Sequence, residues 1–403
     1  MFLIRDKLYP HQVDILEALK NGARYVVSQP RTGKTRPVIE FMRSQGQNIL
    51  VLTKKAAISG WHSELEAMGV TGWTVCNYER VRTKGWDMGL EWDGLVLDEA
   101  HSVAKYPKPN LTAPVISKLL VKGPRVGVSA TPCPESYSQL FHQAKALRLD
   151  LWREFKNFYA WHKAYGIPEQ IRANGRMLET YKQVQPRAWD EFAAFCSITD
   201  RQAVVSDFVE AEDCAVPIEC PSALEMCATL KNEGILRVGG QVVVADTPLA
   251  LAQKAQQICC GAVLDDEGEA VYVNDAKVEW LKMFSGRRIA VLCSFKAEVK
   301  AISRRWSSEG ITDDIEAFRR GGWFVGSVQR FNSGVDLADA EALVFTSVPW
   351  SAVQYIQGRE RLLRRDRTMA APVYFPVIKG GIDERIFDVV AKGKKDFNSR
   401  LYR

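Results

Sequence analysis

The chain has 403 residues, 46% of them hydrophobic and 25% charged, with a net charge of +6 at neutral pH. That length suits two or three domains rather than one core, and the balance excludes disordered and fibrous classes. No apolar run approaches the roughly 18 residues of a membrane span, since FVGSVQRF and IAVLCSF both stop early. The start MFLIRDKLYP carries Asp6 and no small-residue cleavage site, so a cytoplasmic location is expected. The nine cysteines are odd in number and have no paired framework, which points to a reducing compartment. Cys214, Cys220 and Cys227 are separated by five and six residues, too far apart for a zinc knuckle. Basic tracts at RRW, FRR and RERLLRRDR supply a phosphate-binding footprint only if the fold gathers them on one face.

Residues 1–140 alternate short apolar runs with longer mixed segments, the pattern of a parallel sheet covered by helices. The expected strands are ARYVVSQ, NILVLTK, TVCNYE, GLVLDEA and RVGVSAT, continuous enough to be buried on both faces. Residues 141–213 open on aromatic-rich helical text, LFHQAKALRLDLWREFKNFYAWHKAYG, and read as a helical connector or insertion. Its tryptophans and tyrosines at helical spacing suit a core better than a stacking platform for bases. Residues 214–403 form a second α/β pattern, with strands at RIAVLCSF, GWFVGSVQ, EALVFTSV and APVYFPVI and a hairpin in GAVLDDEGEAVYV.

SQPRTGKT, residues 28–35, follows the strand ARYVV and precedes a helical pattern, the setting a phosphate loop requires. Backbone N–H groups of such a loop and of the helix start point at the anion. Lys34 would reach the outer phosphates and Thr35 would hold magnesium, with Gly33 allowing close approach. Ser28 stands where the strict GxxxxGKT pattern has glycine. GLVLDEAH, residues 94–101, delivers Asp98 and Glu99 at the carboxyl end of a buried strand, where ligands of open α/β sheets bind. Asp98 can hold magnesium, and Glu99 can orient and deprotonate a water.

These segments resemble the two-lobed superfamily of helicases and translocases, and more narrowly its SNF2-like branch, from about residue 8 to 388. The resemblance implies two RecA-like parallel-sheet lobes with an ATP cleft between them. LYPHQ looks like the adenine-sensing element, with Gln12 reading the base edge. In the phosphate loop, Arg31 stands where glycine is more usual. NILVLTKKAAISGWHSEL resembles the segment whose loop touches the nucleic-acid backbone, through Thr53, Lys54 and Lys55, with Trp61 as a packing residue. TVCNYE resembles the strand ending in tyrosine and glutamate. DEAH places His101 as a link between nucleotide state and lobe closure. SATP resembles the coupling segment, with Ser129 and Thr131 exchanging hydrogen bonds with the acidic motif.

In the second lobe, PLALAQKAQQICCGAVL resembles a family helix, which makes Cys259 and Cys260 packing residues, and Lys277 starts the helix after it. VLCSF resembles the lobe's first strand, placing Ser294 and Lys296 near the nucleic-acid groove. GSVQRFNSGVDLADA offers Gln329 and Asn332 as further contacts. QGRERLLR resembles the arginine segment. Counted from Gln357, a coupling residue, the pattern gives Arg361 and Arg364 as fingers on the phosphates, and Arg359 is a second register that would also touch nucleotide. The resemblance thus implies an ATPase using ATP and Mg2+ on nucleic acid, with duplex or branched DNA favoured, in a compact form like those of bacteria and their phages. A strand-separating helicase on single strands or RNA, and a catalytically weak scaffold, are the alternatives. A recruiting protein is open, and a monomer suffices because the arginines lie within this chain.

Overall fold

The computed structural model describes residues 8–173, 176–201, 209–331, 336–363 and 371–394. Arg364 and Asn332 lie outside them. The chain divides into two compact units, with the boundary after Asp207.

The first unit is built on six strands, β1 (Tyr25–Ser28), β2 (Ile49–Thr53), β3 (Thr74–Asn77), β4 (Gly94–Asp98), β5 (Arg125–Ser129) and β6 (Cys196–Thr199). They lie in the order β6-β1-β5-β4-β2-β3, and every pairing is parallel. All five expected strands are present. Strands β1, β2 and β5 are buried along their whole length, because helices cover both faces. Ile15, Leu19, Val38, Ile39 and Phe41 fill one side, and Leu97, Leu140, Phe141, Trp161 and Phe192 the other. At Gly127 of β5 a Cβ would come within 2.7 Å of the Tyr25 ring, so the close seat of that ring requires glycine.

The text expected to form a connector over 141–213 is divided differently. Helices Leu140–Leu147, Phe158–Tyr165 and Arg187–Ala193 pack onto the first unit, and β6 extends its sheet beside β1. The aromatics are core, since Trp152, Phe158, Trp161 and Tyr165 are buried. Trp161 and Tyr165, one helical turn apart, stack at 5.3 Å. The indole of Trp152 and the hydroxyl of Tyr165 share Glu191 Oε2 at 2.8 and 2.7 Å, which satisfies their polar ends.

The second unit holds five parallel strands, β7 (Ala211–Ile218), β8 (Ile289–Cys293), β9 (Phe324–Ser327), β10 (Ala342–Phe345) and β11 (Ala371–Ile378), in the order β7-β11-β10-β8-β9. The edge strand β7 reaches back to Ala211. The expected hairpin pairs Ala262–Leu264 with Ala270–Tyr272. Its turn is held by Asp265 Oδ1, which accepts from the Glu267 and Glu269 amides at 3.0 and 2.8 Å. Cys259 and Cys260 are buried. Beside them, Lys277 and Asp383 form an ion pair at 2.6 Å with both side chains sealed from solvent. No described helix is long and apolar enough to cross a membrane.

Candidate active site

The phosphate loop spans the carboxyl end of β1 and the start of helix α2 (Thr35–Arg43). Its departures from the strict pattern have physical compensations. The Ser28 hydroxyl, fully buried, donates to Thr32 Oγ1 at 2.6 Å, and Thr32 donates to the Gln29 carbonyl at 2.9 Å. This pair of bonds ties the strand end to the loop. Arg31 adopts φ 70° and Gly33 φ 73°. The first is a left-handed backbone carrying a Cβ, a strained state of the kind that collects at functional loops.

Helix α1 (Pro10–Lys20) clamps this loop from outside. Gln12 donates through Nε2 to the Gly33 carbonyl at 2.9 Å and accepts the Tyr9 amide at 2.8 Å. The adjacent His11 ring bonds the Thr32 carbonyl at 2.8 Å. Gln12 was expected to read an adenine edge. In the structure its buried amide tethers the loop, and a Cβ at Gly33 would lie 2.5 Å from Nε2.

Asp98 ends β4, two strands from the phosphate loop in the sheet order. Its Oδ2 accepts from Thr53 Oγ1 at 2.7 Å and from Trp61 Nε1 at 2.8 Å, and its carbonyl accepts from the Tyr78 hydroxyl at 2.8 Å. Burial and the charge of Glu99 push the Asp98 carboxyl up, while the bonds from Trp61 and Thr53 and the charge of Lys34 oppose them. Thr53 was expected to touch nucleic acid. That reading is corrected, because the residue is fully buried and its hydroxyl goes to Asp98.

Glu99 sits at φ 52°, ψ 51°, a left-handed backbone uncommon for a residue with a Cβ. Its Oε2 lies 3.2 Å from His101 Nδ1 and 3.5 Å from Ser129 Oγ, which are themselves 3.0 Å apart. Burial resists ionisation, but the His101 bond and the charges of His101, Lys34 and Lys54 prevail and hold the carboxyl below the usual range. Lys54 thus acts toward Glu99, while Lys55 is exposed. Ser129 bridges acid and imidazole. Thr131 differs: its amide bonds Ser129 Oγ at 3.0 Å, while its own buried hydroxyl has no partner among the described residues.

The donors present fit a magnesium ion in their chemistry. Asp98 Oδ1 accepts no hydrogen bond among the described residues, and the Thr35 hydroxyl stands at the first residue of α2. Both are hard oxygen donors of the kind Mg2+ takes alongside phosphate oxygens.

In the second unit, Gln357 is buried on the helix Ala352–Arg359, and Arg361 lies just beyond it. Arg359 was expected at the nucleotide as a second register. The structure corrects this: its guanidinium is buried, bonds Asp213 Oδ1 at 3.1 Å and the Ala211 carbonyl at 2.5 Å, and Tyr355 holds the other Asp213 oxygen at 2.5 Å. Ser294 is also corrected as an exposed contact. Its hydroxyl is buried with no partner among the described residues, and its amide bonds Ser347 Oγ at 2.6 Å. Lys296 and Gln329 are exposed.

The sequence pattern missed three side chains of the first-unit site: Trp61, Tyr78 as a donor, and His11. The signal for Trp61 is that a buried indole N–H needs a partner, but nothing in the text says which. No family model matches the chain, and no curated protein matches it. Among solved structures, it is similar to the SWI2/SNF2 ATPase core of Sulfolobus solfataricus in complex with dsDNA, at 16% identity over 99% of this chain and 94% of that one, with a TM-score of 0.42. It is also similar to the Hef helicase domain of Pyrococcus furiosus, at 13% identity over 96% of this chain and 98% of that one, with a TM-score of 0.51. At that identity the second likeness speaks to architecture, and the chain has the fold of a helicase domain, two parallel-sheet α/β lobes.

Proposed function

We propose that the chain is an ATP-hydrolysing motor acting on nucleic acid, and that duplex DNA is its track. The observation that carries the ATPase reading is the placement of Glu99. One of its oxygens is committed to Ser129 and His101, and Oε1 accepts no hydrogen bond among the described residues. A carboxylate held ionised and oriented in this way can align a water and receive its proton. Lys34, whose charge acts on both Asp98 and Glu99, would meet the phosphate charge, and that shared influence supports the reading.

Magnesium, held by Thr35 and Asp98, would supply neutralisation of the outer phosphate oxygens. The remaining work falls to the protein. The loop amides bind phosphate, Gln12 and His11 fix the loop, and Ser129 relays the state of Glu99 to the segment carrying Thr131. The reading gives Arg361 and Arg364 the charge that develops on the phosphates in the transition state. Duplex DNA as the track rests on the SNF2-like motifs, QGRERLLR above all. Grip through phosphates makes such motion indifferent to sequence.

The test is steady-state ATP hydrolysis by the whole chain with no nucleic acid, blunt duplex, single strands, forks and RNA, with Lys34→Ala as the blank. Stimulation by blunt duplex is expected. Stimulation confined to single strands or RNA would replace the translocase by an unwinding helicase, and turnover retained in both Lys34→Ala and Glu99→Gln would overturn the active site.

A further inference from the structure

We propose that Thr53 and Trp61 are positioning residues that dictate how Asp98 meets a divalent cation, so that the site discriminates magnesium from calcium. The inference rests on the ATPase reading above. Both donors converge on the same carboxylate oxygen, Oδ2, at 2.7 and 2.8 Å, and none of the described residues bonds Oδ1. They arrive from different elements, Thr53 from the end of β2 and Trp61 from the helix α3 (Ile58–Ala67), and both are buried. The Tyr78 hydroxyl fixes the Asp98 backbone from a third direction at 2.8 Å.

A carboxylate turns about its last torsion with broad, two-fold freedom, and either oxygen, or both, can bind a metal. Two donors on Oδ2 end that freedom. They select one rotamer and occupy the lone pairs that a bidentate contact would need, leaving Oδ1 as a single hard ligand. Magnesium accepts that arrangement, because it is small and octahedral and binds through one or two carboxylates plus phosphate. Calcium takes six to eight oxygens and gains from bidentate carboxylates. Removing the donors therefore loosens magnesium and helps calcium. Outer-shell partners of metal ligands characteristically control affinity by about 10- to 100-fold.

The experiment titrates Mg2+ or Ca2+ into the whole chain with a fluorescent, non-hydrolysed ATP analogue, taking binding in EDTA as the metal-free baseline. In Thr53→Val and Trp61→Phe the Mg2+ midpoint is expected to rise roughly tenfold, the Ca2+ midpoint to stay or fall, and the metal-free baseline to hold. Thr53→Ser, which keeps the hydroxyl, is expected to restore the wild-type midpoints. Should Trp61→Phe fail to fold by circular dichroism, the Thr53→Val and Thr53→Ser pair decides alone. Unchanged Mg2+ and Ca2+ midpoints in folded Thr53→Val overturn the proposal. Equal weakening for both ions with no change in their ratio also overturns it, as a merely structural effect. Absence of nucleotide binding by the wild-type chain at any Mg2+ concentration instead removes the ATPase reading on which the proposal stands.

Discussion

Replacing Arg359 by methionine separates a structural arginine from a catalytic one. The side chains of Arg359 and Asp213 are only 7% and 11% exposed, so solvent cannot take over when one partner goes. Methionine keeps much of the volume but removes the bonds to Asp213 Oδ1 and to the Ala211 carbonyl. The Tyr355 hydroxyl still donates to Asp213 Oδ2. Breaking a buried pair from one side costs about 3–5 kcal/mol, and two bonds that each involve a charge, at about 1.5–3 kcal/mol apiece, give a similar sum. For a unit of this size each kcal/mol moves the melting temperature by roughly 2–4 °C, so a fall of roughly 6–20 °C is expected. Calorimetry is the assay, because two compact units need not melt as one. Adding Asp213→Asn should recover part of the loss, since the carboxylate charge at this largely buried position is then gone. Arg361→Met should lower turnover, as the loss of a finger on the phosphates. A wild-type melting temperature for Arg359→Met together with lost ATP hydrolysis would refute the structural assignment and restore Arg359 as a finger.

Two further outcomes follow from the same geometry. Arg31 holds a left-handed backbone, so Arg31→Gly should be more stable than Arg31→Ala by about 1 kcal/mol, read from denaturant midpoints; alanine equal to or better than glycine would show that the loop carries no such strain. Glu99 has a folded carboxyl below its ordinary range, chiefly because His101, Lys34 and Lys54 outweigh its burial. A depressed acid contributes stability above its unfolded value of about 4.5, and loses it as pH falls through the folded value. The unfolding free energy of wild type should therefore drop more steeply than that of Glu99→Gln between about pH 6 and pH 3, and a constant gap between the two curves would contradict the assigned environment.

The architecture was legible in the text because parallel strands buried on both faces read as unbroken apolar runs. Nine runs named from the sequence became nine sheet strands, and GKT and DEAH stood where loop and strand end demand them. The two other strands of the six- and five-stranded sheets, Cys196–Thr199 and Ala211–Ile218, lie at sheet edges and carry mixed burial, so their alternation was diluted by polar residues. The aromatic stretch after Leu140 announced a core but not whose core it was, because helical periodicity fixes an apolar face and says nothing about the sheet it will meet.

The site divides along the same line. Chemistry carried by a contiguous motif, such as Lys34, Thr35, Asp98 and Glu99, is written in the order of residues. Chemistry made by convergence is not. Thr53 and Trp61 reach Asp98 across 45 and 37 residues, and Arg359 meets Asp213 across 146. A threonine, an indole or an arginine in the text names a donor, but a hydrogen bond is satisfied only where the fold brings an acceptor within about 3 Å. The sequence by itself therefore determined the parallel α/β class and the nucleotide motifs. Only tertiary structure decided that Thr53 serves a carboxylate, that Gln12 holds a loop, and that Arg359 is spent inside its own unit, because each choice depends on which partner burial leaves in reach.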